Sequence, residues 1–84
     1  MKIKTLISKL QKLDADFEVI LSSDAEGNNY SPIGLVYYKD GLKFLDDGYG
    51  FQMYEKSDVS NDKQDFPSID DYNKGENCIV LYPV

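Results

Sequence analysis

The spacing of apolar residues changes period once, early in the chain, and that change limits the fold more than any other feature. Ile3, Leu6, Ile7, Leu10 and Leu13 recur at intervals of three and four, so on a helix they share an arc of roughly 120°. Lys2, Lys4, Lys9 and Lys12 fall elsewhere. Residues 1–13 therefore read as an amphipathic helix with one core face and one solvated face. Asp14-Ala15-Asp16 is a short polar turn that ends it. From Phe17 the period drops to two: Phe17, Val19 and Leu21 alternate against Glu18 and Ser22, as in a half-buried strand.

Turn formers punctuate the rest of the chain. Residues 23–29 make a loop in which Gly27-Asn28 can supply the positive φ of a tight reversal. Residues 34–39 and 42–46 flank Asp40-Gly41, a favoured pair for a two-residue type I′ turn, and so predict a hairpin with Tyr37 opposite Phe44. Asp46-Asp47-Gly48-Tyr49-Gly50 is a second turn leading to a strand at residues 51–55. Residues 56–76 are irregular except where Ser68, Asp70, Asp71, Lys74 and Gly75 mark the cap, first turn, last turn and stop of a short helix. Cys78-Ile79-Val80-Leu81-Tyr82 is apolar on both faces and reads as an interior strand. The expectation is one α+β domain over residues 1–84. Its N-terminal helix packs on a mostly antiparallel sheet of four to five strands, with the last strand near the centre and a short second helix.

Composition narrows the chemistry. The 84 residues include no histidine, and all nine of the basic residues are lysine, so arginine is absent as well. The usual general base near neutral pH, the commonest metal ligand and the planar fork that grips phosphates and guanine edges are all missing. Cys78, the one cysteine, lies in an apolar run and reads as a small buried hydrophobe. Fifteen acids outweigh nine lysines for a net charge of −6. Because residues 1–13 hold four lysines and no acid, residues 14–84 carry a balance of −10. Such a surface repels nucleic acid and anionic lipid and attracts a basic protein groove. No apolar run approaches the ~18 residues of a membrane span. The N-terminal residues alternate lysine with apolar side chains where a signal peptide is continuously apolar, so a cytoplasmic protein is expected.

No motif assigns catalysis. Asp24-Ala25-Glu26-Gly27-Asn28 fails as a calcium loop, since counting Asp24 as position one puts Leu35 at position twelve, where a bidentate glutamate is needed. The pairs Asp46-Asp47 and Asp70-Asp71 sit beside turn and helix-start signals, where aspartate serves local hydrogen bonding. Neither a phosphate loop nor a nucleophile with its base is recognisable, and no cofactor or metal is expected. The seven tyrosines are more than a sheet this small can bury, and tyrosine is enriched in binding surfaces. The candidate binding residues are accordingly Asp24, Glu26, Asp46, Asp47, Tyr49, Asp70, Asp71 and Tyr72.

Residues 2–14, then residues 17–28 and Ser31-Pro32-Ile33, with the closing Val80-Leu81-Tyr82-Pro83 more weakly, resemble a group of small uncharacterised proteins of tailed bacteriophages and prophages. Those relatives often carry proline where this chain has Ala15, and their middle sections vary, so no binding residue transfers. The resemblance implies a phage accessory product acting in the host bacterial cytoplasm, and it suggests a non-enzymatic inhibitor that occupies a host protein with a basic surface. Acidic mimicry of nucleic acid is the extreme form of that expectation. A structural or assembly protein of the phage particle, as a homo-oligomer paired through a sheet edge, is one alternative; a nucleotide-sequestering protein is the other.

Overall fold

The computed structural model describes all 84 residues and has an α+β fold. Its elements run α1 (Ile3–Leu10), β1 (Ile20–Ser22), β2 (Tyr30–Tyr37), β3 (Lys43–Asp46), β4 (Phe51–Tyr54), a 3-10 turn (Lys56–Asp58), α2 (Ile69–Asn73), β5 (Glu76–Asn77) and β6 (Val80–Pro83). The six strands form two three-stranded sheets of order β1-β2-β6 and β4-β3-β5, where one sheet of four to five strands was expected. The last strand lies at a sheet edge and not at a centre. No helix is long and apolar enough to cross a membrane. The chain divides into two compact units, Met1–Gly34 with Pro83–Val84, and Leu35–Tyr82.

In the first unit, α1 starts without a side-chain cap and ends at Leu10, three residues before the apolar spacing does. Past its end the Leu13 amide donates to the Leu10 carbonyl at 3.0 Å, and Asp14 Oδ1 accepts from the Asp16 amide at 2.9 Å, an Asx turn that keeps the chain out of helix. The apolar stripe forms as expected, but α1 buries none of its residues, and Ile3, Ile7, Leu10 and Leu13 are exposed. Strand β1 is shorter than the alternation from Phe17 suggests, and Phe17 and Val19 precede it as exposed coil. It pairs antiparallel with β2, Leu21 opposite Ser31, and the Val84 amide donates to the Pro32 carbonyl at 3.0 Å.

The second unit owns the buried core, made of Leu42, Leu45 and Tyr72. The hairpin expected across Asp40-Gly41 does not form. The Leu42 amide does donate to the Lys39 carbonyl at 3.1 Å, so the chain turns there. Yet only Gly41 has a positive φ, 87°, while Asp40 does not; these are the φ signs of a type II turn, whose twist splays the flanking strands. Tyr37 therefore never faces Phe44, and its ring instead meets Tyr82 edge-on at 6.2 Å. β3 pairs antiparallel with β4 across the Asp46–Gly50 turn, with Phe44 opposite Met53 and Asp46 opposite Phe51. On its other side it pairs with β5, with Phe44 opposite Glu76.

Helix α2 forms where its cap signals place it. The Ser68 hydroxyl accepts from the Asp71 amide at 3.2 Å, and the Asp71 carboxylate accepts from the Ser68 amide at 3.1 Å, a complete capping box. The helix buries Tyr72, whose hydroxyl donates to the Gly41 carbonyl and ties α2 to the type II turn. Lys43 Nζ lies 5.9 Å from the centre of the Tyr72 ring.

Candidate functional site

The eight candidate binding residues separate into three places, and most of them do structural work. Asp24 organises its own loop: Oδ1 accepts from the amides of Glu26, Gly27 and Asn28 at 3.0, 2.8 and 3.3 Å, and Oδ2 accepts from Asn28 Nδ2 at 2.9 Å. The Asn28 side chain and these amides hold the Asp24 carboxyl below its ordinary range. Glu26 also accepts from Asn28 Nδ2, at 3.3 Å. These oxygens turn to the loop's own donors, the opposite of a calcium cradle.

In α2, Asp71 is committed to the capping box, and the Ser68 hydroxyl, donating at 2.8 Å, holds its carboxyl below the ordinary range. Tyr72 is a core residue, buried on α2 with its hydroxyl bonded to the Gly41 carbonyl; this removes it from the exposed tyrosines. Asp70 is exposed beside Asp71 and forms no side-chain hydrogen bond.

The third place is the β3–β4 hairpin, and here residues on separate strands converge. Asp46 Oδ1 accepts from the Gly48 amide at 2.9 Å, and Asp47 Oδ1 accepts from the amides of Tyr49 and Gly50 at 2.9 and 3.1 Å. Each carboxylate uses Oδ1 in the turn, and its Oδ2 makes no hydrogen bond. Tyr49, at the tip, is 100% exposed.

Strand alternation gives the sheet below this turn two unlike faces. Lys43, Leu45 and Tyr54 point to the side where Leu45 is buried, and there Tyr54 packs edge-on against Phe66 at 5.8 Å. That burial raises the Tyr54 phenol above its ordinary value. The register puts Phe44, Asp46, Phe51, Met53 and Glu76 on the opposite face. Phe44 and Phe51, diagonal neighbours, stack at 4.8 Å with planes 15° apart, yet they remain 42% and 66% exposed. Nothing in the second unit covers this stack.

Phe44, Phe51 and Glu76 were not among the sequence candidates. The signal for the two phenylalanines was present: closing the Asp46–Gly50 turn as a hairpin sets residue 46 opposite 51 and so brings residues 44 and 51 diagonally together. Assigning Phe44 to a partnership with Tyr37 concealed it. Glu76 joins through a two-residue strand, too short to give a periodicity.

Other clusters in the molecule have internal explanations. Glu55 accepts from Tyr37 Oη at 3.1 Å and from Lys39 Nζ at 3.2 Å, which raises the Tyr37 and Lys39 values and pins the end of β4. Cys78 is half-buried, with its thiol pushed up by burial, so the reactive thiolate is disfavoured. A shallow hollow of about 210 Å³ beside Phe44 and Phe66 has Asp46, Asp71 and Lys74 at its rim. No three carboxylate or thiol groups converge to hold a metal ion. Comparison with family models, curated proteins and solved structures finds no match for this chain.

Proposed function

We propose that this chain is a non-enzymatic accessory protein, of the kind carried by tailed phages, that binds a host protein in the bacterial cytoplasm and inhibits it by occupying its surface. The observation that carries the reading is the open Phe44–Phe51 stack, with the fully exposed Tyr49 in the adjoining turn. Taking about 200 Å² for a whole aromatic side chain, the two stacked rings leave about 200 Å² in water and Tyr49 as much again. Tyrosine and phenylalanine left open in this way are the residue types enriched at interaction sites. An exposed aromatic cluster of this size costs solubility and contributes nothing to the core. Binding gives it a use.

The chemical inventory supports the same reading. Without histidine or arginine, the groups best suited to act on a substrate near neutral pH are missing, whereas tyrosine and phenylalanine supply contact area at low entropic cost. The likeness of residues 2–14 and 17–28 to small phage proteins supplies the setting.

A tagged copy should capture a bacterial protein in stoichiometric amount from host lysate. The double variant Tyr49→Ala/Phe51→Ala, with an unchanged circular dichroism spectrum, should lose it, and the captured protein's activity should fall as the wild-type chain is added. Capture by wild type and variant alike, or no loss of the partner's activity, would refute the proposal.

A further inference from the structure

We infer that the open face of the β3–β4 hairpin takes a cationic, arginine-bearing segment of the partner protein, with a guanidinium stacked on Phe51 near Asp46, and with Asp47 in the turn and Glu76 beyond Phe44 extending the acidic surface along the segment. This rests on the protein-binding reading above and names the chemistry of the partner.

The charges near the face are mostly acidic. Asp46 and Glu76 lie on it by register and Asp47 stands in the turn above, while Lys74, with Asp71, borders the hollow beside Phe44 and Asp46, and Lys43 points to the opposite side. The second unit as a whole holds ten acids and five lysines, a balance of −5. Phe44 covers one side of Phe51, and the ring's remaining surface is open. A flat cation within about 6 Å of such a ring is attracted by its quadrupole. The free Oδ2 atoms of Asp46 and Asp47 can accept from guanidinium donors without disturbing the turn, which uses only Oδ1. Arginine fits better than lysine because its planar group stacks and donates at once.

Area and charge also decide against a second copy of this chain. Two copies meeting at this patch would each bury about 400 Å² of aromatic surface, half of the ~800 Å² per partner of a standard stable interface. They would also bring two acidic faces together. A cationic segment instead gains attraction at every acid.

The experiment is a titration of the ¹⁵N-labelled protein with a capped peptide of alternating arginine and serine, set against the same peptide with neutral citrulline at each arginine. The arginine peptide should shift the amide resonances of Asp46, Asp47, Tyr49, Phe51 and Glu76 before those of other residues. It should bind at least about tenfold more tightly than the citrulline peptide and weaken as salt rises. The Asp46→Asn/Asp47→Asn variant keeps the Oδ1 acceptors of the turn, so its spectrum should stay folded while it loses most of that preference. Equal binding of the two peptides, shifts centred on another surface, or no binding would overturn the inference. So would hairpin shifts that grow with protein concentration alone alongside a dimer in the ultracentrifuge, which would identify a second copy as the occupant. If the Tyr49→Ala/Phe51→Ala variant loses its captured protein while the arginine peptide fails to bind, the docking face stands and the cationic partner falls.

Discussion

Gly41 sits where backbone conformation and core packing meet. Its φ of 87° lies in the region that glycine enters freely, and a Cβ there would stand 2.7 Å from Lys56 Cε and 2.9 Å from Tyr72 Oη. Lys56 can swing away, but Tyr72 is buried and hydrogen-bonded to the carbonyl of this same glycine. Gly48 has an equally positive φ, 90°, with nothing within 4 Å of its Cβ position. The pair separates two costs. Gly48→Ala should destabilise by about 1–2 kcal/mol, the conformational part alone. Gly41→Ala should lose clearly more, because the Tyr72 contact must also shift. Urea midpoints of the two variants measure the difference, and equal losses would mean that Tyr72 yields without cost.

Helix α2 has five residues, too few to persist on propensity. Its capping box and the burial of Tyr72 are what hold it. Removing the Ser68 hydroxyl by Ser68→Ala should cost about 1 kcal/mol near neutral pH. The effect carries a pH signature, because the Ser68 hydroxyl is the leading cause of the lowered Asp71 value. A carboxyl whose folded value lies below its unfolded value stabilises fully above the unfolded value, about 3.9 for aspartate, and loses that contribution as pH falls through the folded one. The gap in stability between wild type and Ser68→Ala should therefore narrow as pH drops below about 4, since a protonated Asp71 no longer favours the Ser68 donors. Thermal melts across that range follow the gap; a constant gap would place the contribution of Ser68 in the amide it accepts from. The cap pattern is legible in the order of residues alone, as are α1 and the turn between β3 and β4, because each depends on residues within one or two turns of chain.

Taken whole, the molecule has little buried apolar surface. Leu42, Leu45 and Tyr72 are its buried hydrophobic residues, and Leu42 is the one sealed almost completely. A chain this small retains only a few kcal/mol of net stability. Leu42→Ala, at about 2–5 kcal/mol for a truncated core side chain, should remove the cooperative transition from a thermal melt monitored by tyrosine near-ultraviolet dichroism. A variant that still melts sharply would mean that apolar surface outside this core sustains the fold. Much apolar surface does lie outside it, on α1, on residues 13–20 and on the hairpin face.

Which of these features were open to reading depends on the range of the forces behind them. The chain by itself determined the amphipathic stripe of α1, the Ser68 cap, the Asp46–Gly50 reversal and an acidic surface without imidazole or guanidinium, since these rest on spacing, local hydrogen bonds and composition. Tertiary structure alone decided the partner of β3. Asp40-Gly41 can close a type I′ hairpin or a type II turn, and the choice hangs on the φ of Asp40, in a turn whose carbonyl is tied to Tyr72 from thirty-one residues away. With the type II turn, Phe44 passes from a Tyr37 partnership to the stack with Phe51, and Glu76 joins the same face. A candidate site made of side chains from three strands comes together only after those pairings are chosen, and no local pattern encodes them.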